Sequence, residues 1–427
     1  MMKIFFFMFL MILNMNFIKY LLILLLLLIL YFLKINFFYL NLSYDLSYDY
    51  LSIIFFLMLI WVFSIINLYN ELNMKFLFFL NLMMFLNILF MMFFTQNLIF
   101  LILYFEMSII PMMLIIFFFS FKYERLKINL FLLFYMMLLS FPLLIYLLIF
   151  MNYDIIIFLI IDINKNFFFF FLMLLLFMVK MSFFLFHMWL PKVHVEASFL
   201  GSVILSSIML KLGVYGFMRI LKIFLYYYYY LFLFLIISFY GLFYINFICL
   251  LQNDIKMMIA YSSVIHMNFV ILNLLIMKNL SLDSSLMLML NHSFCSSNLF
   301  LMLGIIYVRF KSRSFFMNKG ILIYFPIMSL FMFMICKMNF SFPFNISFFS
   351  EFMILMNLIY WSKFMYMFFI IFFFNFFYNL YMYMYMYHGN FIMKFSFSLI
   401  FLNEYLIIFF LWFPMNMMFL NLFIFIS

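Results

Sequence analysis

Four ionisable side chains lie inside long apolar runs of the sequence. They are Glu106, Lys180, Lys211 and Glu351, in the order acid, base, base, acid. In the middle of a membrane span each charge would cost at least ~2.5–3.5 kcal/mol, and such residues usually pair with one another or mark ion pathways. Pairing lowers this cost and makes the protonation of each partner depend on the other. A poised lysine beside a movable carboxylate is the chemistry of a proton relay.

Two histidines share similar surroundings. His266 and His292 lie inside apolar runs, among Ser, Tyr and Asn side chains that can hydrogen-bond water. Histidine changes its charge near neutral pH and can therefore pass protons on. The alternative for both histidines is a static hydrogen bond between helices. The alternative for the four charges is a set of buried ion pairs that fix helix register, and the relay is favoured because the charges lie in separate spans.

The composition indicates that membrane helices must position these groups. The chain has 427 residues, of which 73% are hydrophobic and 8% charged, whereas a soluble domain carries about 25% charged residues. A soluble enzyme, a disordered chain and a secreted disulfide scaffold are therefore excluded. Phe (79), Met (46) and Tyr (31) are heavily used, which indicates an AT-rich, organellar genome.

The apolar runs predict an all-α polytopic membrane protein, with residues 1–427 as a single transmembrane domain. At ~20 residues per span the length allows roughly 13–15 helices, and about 14 runs are present. No loop is long enough for a soluble domain, and runs such as 21–30 lack the alternation of barrel strands. The predicted spans are 4–18, 20–40, 51–67, 76–95, 97–119, 129–151, 166–190, 197–220, 224–250, 257–277, 283–306, 320–361, 364–386 and 397–420.

Depth distinguishes the ionisable residues from ordinary helix-end charges. Glu106, Lys180 and Lys211 each fall within about three residues of the middle of a predicted span, which is ~4 Å from the midplane. The run 320–361, which contains Glu351, is too long for one straight helix at ~1.5 Å per residue. Polar residues and Pro343 interrupt it. It is predicted to be two short spans or one discontinuous helix, whose ends would expose backbone dipoles.

Polar residues near the span ends are assigned to structure. Pro191 is predicted to end one span and Glu196 to open the next, because a carboxylate is favourable at a helix N-terminus. A cap and turn are favoured there over proton input. Asn253 or Asp254 is predicted to cap another helix, and the Tyr–Met repeat 381–387 is predicted to be an interfacial helix end. The residues around Pro191 are His187, Lys192, His194 and Glu196.

Other classes of site find no support in the sequence. Cys249, Cys295 and Cys336 form no CxxC pair, so no metal or iron–sulfur site is predicted. No glycine-rich nucleotide loop is present, and no paired histidines indicate haem. The net charge of +10 is assigned to topology and lipid head groups rather than to nucleic acid. We therefore expect no redox cofactor in this chain.

Several local strings together resemble a known family. They include His187-Met-Trp-Leu-Pro-Lys-Val-His-Val-Glu-Ala197 and Gln252-Asn-Asp-Ile-Lys256. The set resembles the chain 4 family of mitochondrially encoded NADH-ubiquinone oxidoreductase subunits, with matches from about Tyr104 to Glu351. The other matching strings are residues 104–111, 123–126, 177–181, 201–205, 211–219 and 259–267.

The resemblance implies an antiporter-like subunit in the membrane arm of respiratory NADH dehydrogenase. Such subunits have discontinuous helices and two inverted five-helix repeats, which would here cover 76–220 and 224–386. The resemblance places the family's glutamate–lysine pair on Glu106 and Lys180 and its central lysine on Lys211. It places the distal glutamate on Glu351, and the channel histidines on His266 and His292.

The implied function is proton translocation across the mitochondrial inner membrane, coupled to electron transfer from NADH to ubiquinone. NAD, FMN, the iron–sulfur clusters and ubiquinone would belong to other subunits. The expected partners are other membrane-arm subunits, including antiporter-like ones, and membrane lipids such as cardiolipin, with no nucleic acid. Two alternatives stay open, a stand-alone cation/proton antiporter and a structural spacer without a channel.

The sequence departs from that family's pattern at several places. Ser182 and Ser198 stand where the family commonly has proline, and Val214 and Ser350 stand where it has glycine. A break in the predicted span 166–190 therefore stays open.

Overall fold

Among the residues that the structure describes, the fold is a helical bundle with one small strand pair. The computed structural model describes residues 40–41, 47–70, 76–95, 97–119, 124–150, 167–224, 227–343, 345–361, 367–390 and 400–420. The predicted spans 4–18 and 20–40 lie outside these residues, except for Leu40. Strands β1 (Leu40–Asn41) and β2 (Ser47–Tyr48) pair antiparallel.

The first half of the chain forms nine α-helices, followed by eight in the second half, within the described ranges. The first nine are α1 (Tyr50–Asn70), α2 (Phe76–Phe94), α3 (Leu98–Met107), α4 (Ile109–Phe119), α5 (Arg125–Phe150), α6 (Phe167–Lys180), α7 (Trp189–Glu196), α8 (Phe199–Ile204) and α9 (Leu210–Phe224). The others are α10 (Tyr228–Leu250), α11 (Ile255–Leu275), α12 (Asn279–Phe310), α13 (Ile321–Tyr324), α14 (Pro326–Asn339), α15 (Ile346–Trp361), α16 (Phe368–Tyr387) and α17 (Leu402–Leu420).

Ten helical segments of the described chain are long and apolar enough to cross a membrane. Helices suit such sequences because a bilayer offers no water to satisfy backbone N–H and C=O groups. Helix α11 is buried along its whole membrane-crossing window and forms the centre of the bundle. Helix α5 lies at the edge, where Leu126, Leu130, Phe134 and Leu138 form an exposed apolar stripe.

Two of the helical crossings are interrupted by the same backbone turn. Helix α6 ends at Lys180, and Ser182 adopts a left-handed φ of 56°. The Phe183 N–H donates to the Met178 carbonyl at 3.0 Å, which closes a Schellman motif. The span 166–190 is therefore broken, although no glycine or proline stands at the break.

The second interruption follows α14. Ser341 has a φ of 53°, and the Phe342 N–H donates to the Lys337 carbonyl at 3.1 Å. Helix α15 begins after residue 345. The run 320–361 is thus discontinuous, which was one of its two predicted forms.

Further irregularities lie beside the other ionisable residues. The predicted span 97–119 is divided at Ser108, two residues after Glu106. A π-helical turn, Leu205–Met209, separates α8 from α9 and ends two residues before Lys211. Because π-turns and helix breaks release backbone groups from the regular ladder, they are common at functional sites.

Three local predictions need correction or refinement. Pro191 lies inside α7, and Glu196 ends that helix instead of opening the next one. The N-cap of α8 is Ser198, whose hydroxyl accepts the Gly201 N–H at 3.1 Å. Asp254 is the N-cap of α11, but its side chain makes no capping bond, and the Ile255 N–H donates to the Arg313 carbonyl instead. The 381–387 repeat does form a helix end, at Tyr387.

Candidate functional site

A buried ion pair joins the first two ionisable residues. Lys180 Nζ donates to Glu106 Oε1 at 3.1 Å and also to the Phe105 carbonyl at 3.3 Å. Both side chains are buried, and the ammonium lies 3.0 Å from the centre of the Phe105 ring. Since Lys180 is the last residue of α6, its charge also meets the negative end of that helix dipole. The pair is held at two helix ends, from α3 and α6.

Lys211 is fully buried and has a neutral environment. Its Nζ donates to the Ser206 carbonyl at 2.6 Å and lies 2.7 Å from His292 Nδ1. The carbonyl belongs to the π-turn that precedes the lysine. When Lys211 is an ammonium, His292 Nδ1 must accept this hydrogen bond, and the histidine is then neutral with its proton on Nε2. The lysine is thus joined directly to a group that can accept its proton.

The line of polar groups continues from His292 to Glu351. The rings of His292 and His266 have centroids 5.4 Å apart. His266 Nδ1 lies 3.8 Å from Glu351 Oε1, while the Ser341 hydroxyl donates to Glu351 Oε2 at 2.5 Å. The structure therefore brings four predicted site residues into one buried line, which we call the relay line: Lys211, His292, His266 and Glu351.

The ion pair and the relay line meet through backbone packing. Gly213, two residues after Lys211, packs on the peptide that joins Lys180 to Met181. A Cβ at position 213 would lie 2.9 Å from Met181 Cγ and 3.2 Å from Met181 N. The absence of a side chain lets the two lysine-bearing helices approach this closely. Movement at the α6 break would therefore press directly on the helix that carries Lys211.

One histidine assigned to a turn lies in the same buried region. His194 is fully buried with its ring stacked on Phe300, at a centroid separation of 4.7 Å. Neither ring nitrogen has a hydrogen-bond partner among the described groups. His194 interacts electrostatically with both Lys211 and Lys256. No motif in the sequence distinguished His194 from the turn residues around Pro191.

Lys256, at the end of the family-matching string 252–256, is a further buried cation. Its Nζ donates to the Ala197 carbonyl at 2.6 Å, at the end of α7. His187 lies outside this cluster, with its ring on Phe184 and its Nδ1 against the Phe184 carbonyl. In the described ranges, no group of three or more His, Cys, Asp or Glu side chains could hold a metal ion.

The arrangement suits proton transfer between fixed groups. The relay line alternates groups that can hold a proton, at separations that one hydrogen bond or one water molecule spans. Burial removes competing solvent, and it strengthens the electrostatic effect of each charge on its neighbours. The Glu106–Lys180 pair beside it can exist as an ion pair or with its partners separated.

Comparisons with known proteins agree with this architecture. The family model "NADH:quinone oxidoreductase/Mrp antiporter, TM" matches residues 95–377. A chain of respiratory complex I from Thermus thermophilus superposes with a TM-score of 0.77 at 18% identity, covering 92% of this chain and 88% of that chain. A chain of the Mrp complex from Dietzia sp. DQ12-45-1b gives 0.74 at 13% identity, covering 81% and 67%. The class is therefore an antiporter-like membrane subunit.

Sequence relatives narrow the assignment. NADH-ubiquinone oxidoreductase chain 4 of Ceratitis capitata is 37% identical over 397 residues, which are 90% of this chain and 89% of the relative. The same chain of Rhipicephalus sanguineus is 34% identical over 394 residues, with coverage of 91% and 89%. The chain belongs to the NADH:quinone oxidoreductase/Mrp antiporter family and, within it, is a homologue of NADH-ubiquinone oxidoreductase chain 4.

Proposed function

We propose that this chain carries protons across the mitochondrial inner membrane as a subunit of NADH-ubiquinone oxidoreductase, and that the relay line is the path. The observation that supports this most is the buried connection from Lys211 through two histidines to Glu351. Such a connection has no evident structural purpose in a lipid environment, where each ionisable group is costly.

The chemistry follows from the geometry of each step. Separation of the Glu106–Lys180 pair changes the electrostatic potential at Lys211. The two sites are neighbours because Gly213, two residues after Lys211, packs against the Lys180–Met181 peptide. Lys211 then releases its proton to His292 Nδ1, at 2.7 Å. His292 passes its Nε2 proton on to His266, which supplies the proton that Glu351 takes up. Because the Ser341 hydroxyl occupies Oε2, the receiving atom is Oε1.

The last step needs a small movement or one bridging water. His266 Nδ1 and Glu351 Oε1 are 3.8 Å apart, which exceeds a direct hydrogen bond. The separation interrupts proton flow while the line is at rest. If α15 moved by less than 1 Å, His266 Nδ1 and Glu351 Oε1 would come within hydrogen-bonding distance. The position of α15 would therefore control whether the proton passes along the relay line.

The membrane architecture is proposed to comprise about 14 helices in one domain. Ten described segments can cross a membrane, α6–α7 and α14–α15 supply two discontinuous crossings, and two predicted spans precede residue 41. Inverted repeats at 76–220 and 224–386 are supported because each contains one discontinuous helix. Glu106, Lys180 and Lys211 belong to the first repeat, and His266, His292 and Glu351 to the second.

The partners follow from the family. NAD, FMN, iron–sulfur clusters and ubiquinone are proposed to sit in other subunits, and neighbouring antiporter-like subunits to contact this chain within the membrane arm. Lipids such as cardiolipin would meet cationic helix ends, for example at Lys278, whose ammonium lies 3.5 Å from the Tyr360 ring centre.

The decisive experiment is proton pumping by the reconstituted whole complex carrying Lys211→Ala, with NADH oxidation followed in parallel. Lys211→Met preserves the side-chain volume and separates loss of charge from loss of packing. Lys192→Ala is the matched control, because Lys192 is an exposed lysine on the neighbouring α7. We expect pumping to be lost in both Lys211 variants and kept in the control.

Pumping per electron that is unchanged in both Lys211 variants would make this chain a scaffold with structural charges. Proton-coupled cation transport by the purified chain alone in vesicles, without redox partners, would instead support a stand-alone antiporter.

A further inference from the structure

Helix α9, which carries Lys211 near its start, is held by a second polar contact near its end. Arg219 follows Lys211 by two four-residue steps, which places it ~12 Å further along the helix. Its Nε donates to the Tyr215 hydroxyl at 3.0 Å, and its Nη1 forms an ion pair with Asp49, the residue before α1. Because neighbours four residues apart lie one above the other on a helix, Tyr215 connects the level of Arg219 to that of Lys211.

Tyr215 extends this contact to α2. Its hydroxyl donates to the Phe93 carbonyl at 2.8 Å. That carbonyl belongs to the last turn of α2, where carbonyl groups have no acceptor role within the helix. The Tyr215 ring is fully buried and packs edge-on against Phe55 of α1 and Phe93 of α2, at centroid separations of 5.7 and 4.8 Å. The later half of α9 is therefore joined to both α1 and α2.

We call Asp49, Tyr215, Arg219 and the Phe93 carbonyl the α9 anchor. The acidic end of the anchor is itself fixed, because the Asp49 N–H donates to the Ser52 hydroxyl at 2.8 Å, and that hydroxyl donates to the Asp49 carbonyl at 2.7 Å. The basic end is a guanidinium, whose donors point in fixed directions and so define an orientation as well as a distance. The anchor can therefore resist both sliding and rotation of α9.

Helix α9 also packs closely on α6, the helix that ends at the first break. A Cβ at Gly216 would lie 2.1 Å from Phe177 Cε1, and one at Gly213 would lie 3.2 Å from Met181 N. Movement at the break therefore pushes on α9. Helices α1 and α2 are continuous over 21 and 19 residues. The α9 anchor thus ties α9 to helices that contain no break.

The contacts of Lys211 depend on the rotation of α9. Its Nζ lies 2.6 Å from the Ser206 carbonyl and 2.7 Å from His292 Nδ1. Side-chain tips lie ~5–6 Å from a helix axis, so a rotation of about 20° displaces them by ~2 Å. Since a hydrogen bond needs a separation below ~3.2 Å, such a rotation would disconnect the lysine from the histidine.

We propose that Arg219, together with Tyr215 and Asp49, is a positioning residue that holds α9 on α1 and α2, so that movement at the α6 break acts on Lys211 instead of turning the whole helix. The inference rests on the proposed function and deepens it, because it identifies the fixed support of the central lysine. At ~12 Å along the helix, Arg219 is too distant to exchange a proton with Lys211. It acts through the position of α9.

The test is proton pumping per electron by the reconstituted whole complex, measured beside its thermal midpoint. Tyr215→Phe keeps the ring and the ion pair but removes the hydroxyl that joins Arg219 to α2. Arg219→Lys keeps a cation for Asp49, but an ammonium does not reproduce the fixed fork of the guanidinium. We expect each variant to lower pumping per electron by about two- to tenfold, the factor that corresponds to one lost hydrogen bond, with a small fall in thermal midpoint.

Arg309→Lys is the matched control. Arg309 forms an ion pair with Glu404 and so joins two distant helices, α12 and α17, as Arg219 joins α9 to α1. The same chemical change at this position should lower the thermal midpoint by a similar amount and leave pumping per electron unchanged. If pumping instead falls in parallel with the thermal midpoint in all three variants, the α9 anchor contributes only stability and the positioning role is wrong.

Two further outcomes separate this inference from the proposed function. Loss of pumping in Lys211→Ala together with normal pumping in Tyr215→Phe and Arg219→Lys would reject the positioning role while the relay stands. Normal pumping in Lys211→Ala would reject the relay itself. In an experimental map of the Tyr215→Phe complex, Lys211 Nζ should lie more than ~3.2 Å from His292 Nδ1, and an unchanged contact there would also overturn the proposal.

Discussion

The two discontinuous helices share one backbone device and use it differently. In each, a helix of 14 residues is followed, two residues after its end, by a serine with left-handed φ and then by a phenylalanine that closes the turn. At the first break the ionisable residue is Lys180, which precedes the turn and pairs with a carboxylate from α3. At the second, the ionisable residue is Glu351, which follows the turn and accepts the hydroxyl of Ser341 itself.

The contrast shows what a helix break contributes to a membrane protein. An intact helix uses its backbone groups internally, so a break is a means of presenting hydrogen-bonding groups in lipid. The first break leaves the Ser182 hydroxyl without a partner in the described chain and relies on opposite charges. The second break supplies the partner from its own turn and holds a carboxylate that has no lysine or arginine within ion-pair distance among the described residues, only the titratable His266 at 3.8 Å. The first break therefore holds an ion pair in place, and the second holds a carboxylate that can accept a proton.

The largest expected difference concerns charge balance. Lys180→Met leaves Glu106 buried without its cation, which should destabilise the subunit by about 3–5 kcal/mol. Glu351→Gln removes a charge whose described contacts are neutral, and should change stability much less. The measurement is the thermal midpoint of the purified complex, with the Glu106→Gln/Lys180→Met double variant as the control that recovers most of the loss. Equal losses for Lys180→Met and Glu351→Gln would refute the asymmetry.

The two break serines should also differ. Ser341→Ala removes a hydrogen bond to the Glu351 carboxylate, and bonds to charged groups contribute about 1.5–3 kcal/mol. Ser182→Ala removes a hydroxyl that bonds to nothing described and should be nearly neutral. Pumping per electron should fall only in the Ser341 variant. An equal effect of both variants on pumping would show that the serines act only through the backbone.

The contact between the two lysine-bearing helices gives a third test. Gly213→Ala places a methyl group 2.9 Å from Met181 Cγ, and overpacking of this kind costs about 1–3 kcal/mol. Gly304→Ala is the matched control, because the nearest atoms to its methyl belong to the Phe199 side chain, at 3.2 Å from Cβ, and not to backbone. We expect slower pumping in Gly213→Ala and a small effect in the control. Should both variants pump alike, the α6–α9 contact is packing alone.

The smallest expected effect comes from glycine at the two break serines. These variants distinguish the conformational cost of the left-handed backbone from the contribution of the serine hydroxyl. A left-handed conformation costs a non-glycine residue about 1–2 kcal/mol, so Ser182→Gly should stabilise the complex by about 1 kcal/mol. Ser341→Gly gains the same relief but loses the hydroxyl that holds Glu351, and should be destabilising overall. Thermal midpoints of the two variants give the comparison, and a gain at both positions would contradict the proposed role of Ser341.

The sequence predicted most of the spans that the structure describes, and it predicted the burial of the four charges. Long apolar runs leave little choice of structure in lipid, and the predicted 76–95 span is matched by α2 within one residue. The break at Ser182 was not readable, because serine in a left-handed turn has no strong sequence signal and the usual glycine is absent. The end of α7 at Glu196 was misassigned because the capping role of Ser198 depends on a local hydroxyl bond.

A single sequence also could not predict which side chains from distant parts of the chain would come into contact. Lys211 and His292 are 81 positions apart, and their contact depends on how α9 and α12 pack. The burial of His194 depends in the same way on Phe300 of α12. What the sequence identified was the set of chemically capable groups, and the tertiary contacts decide which of them meet.

The contact between α12 and α17 has a consequence for how the protein is made. Arg309, at the end of α12, forms an ion pair with Glu404 at the start of α17, and Asn298 donates to the Ile408 carbonyl of the same helix. The carboxylate follows the arginine by 95 positions, which is roughly 5–20 s of synthesis at ~5–20 residues per second. During that interval α12 waits in the membrane for its acidic partner. Helix α12 therefore gains its ion pair and its Asn298 hydrogen bond only after α17 has been made, and this part of the bundle closes late.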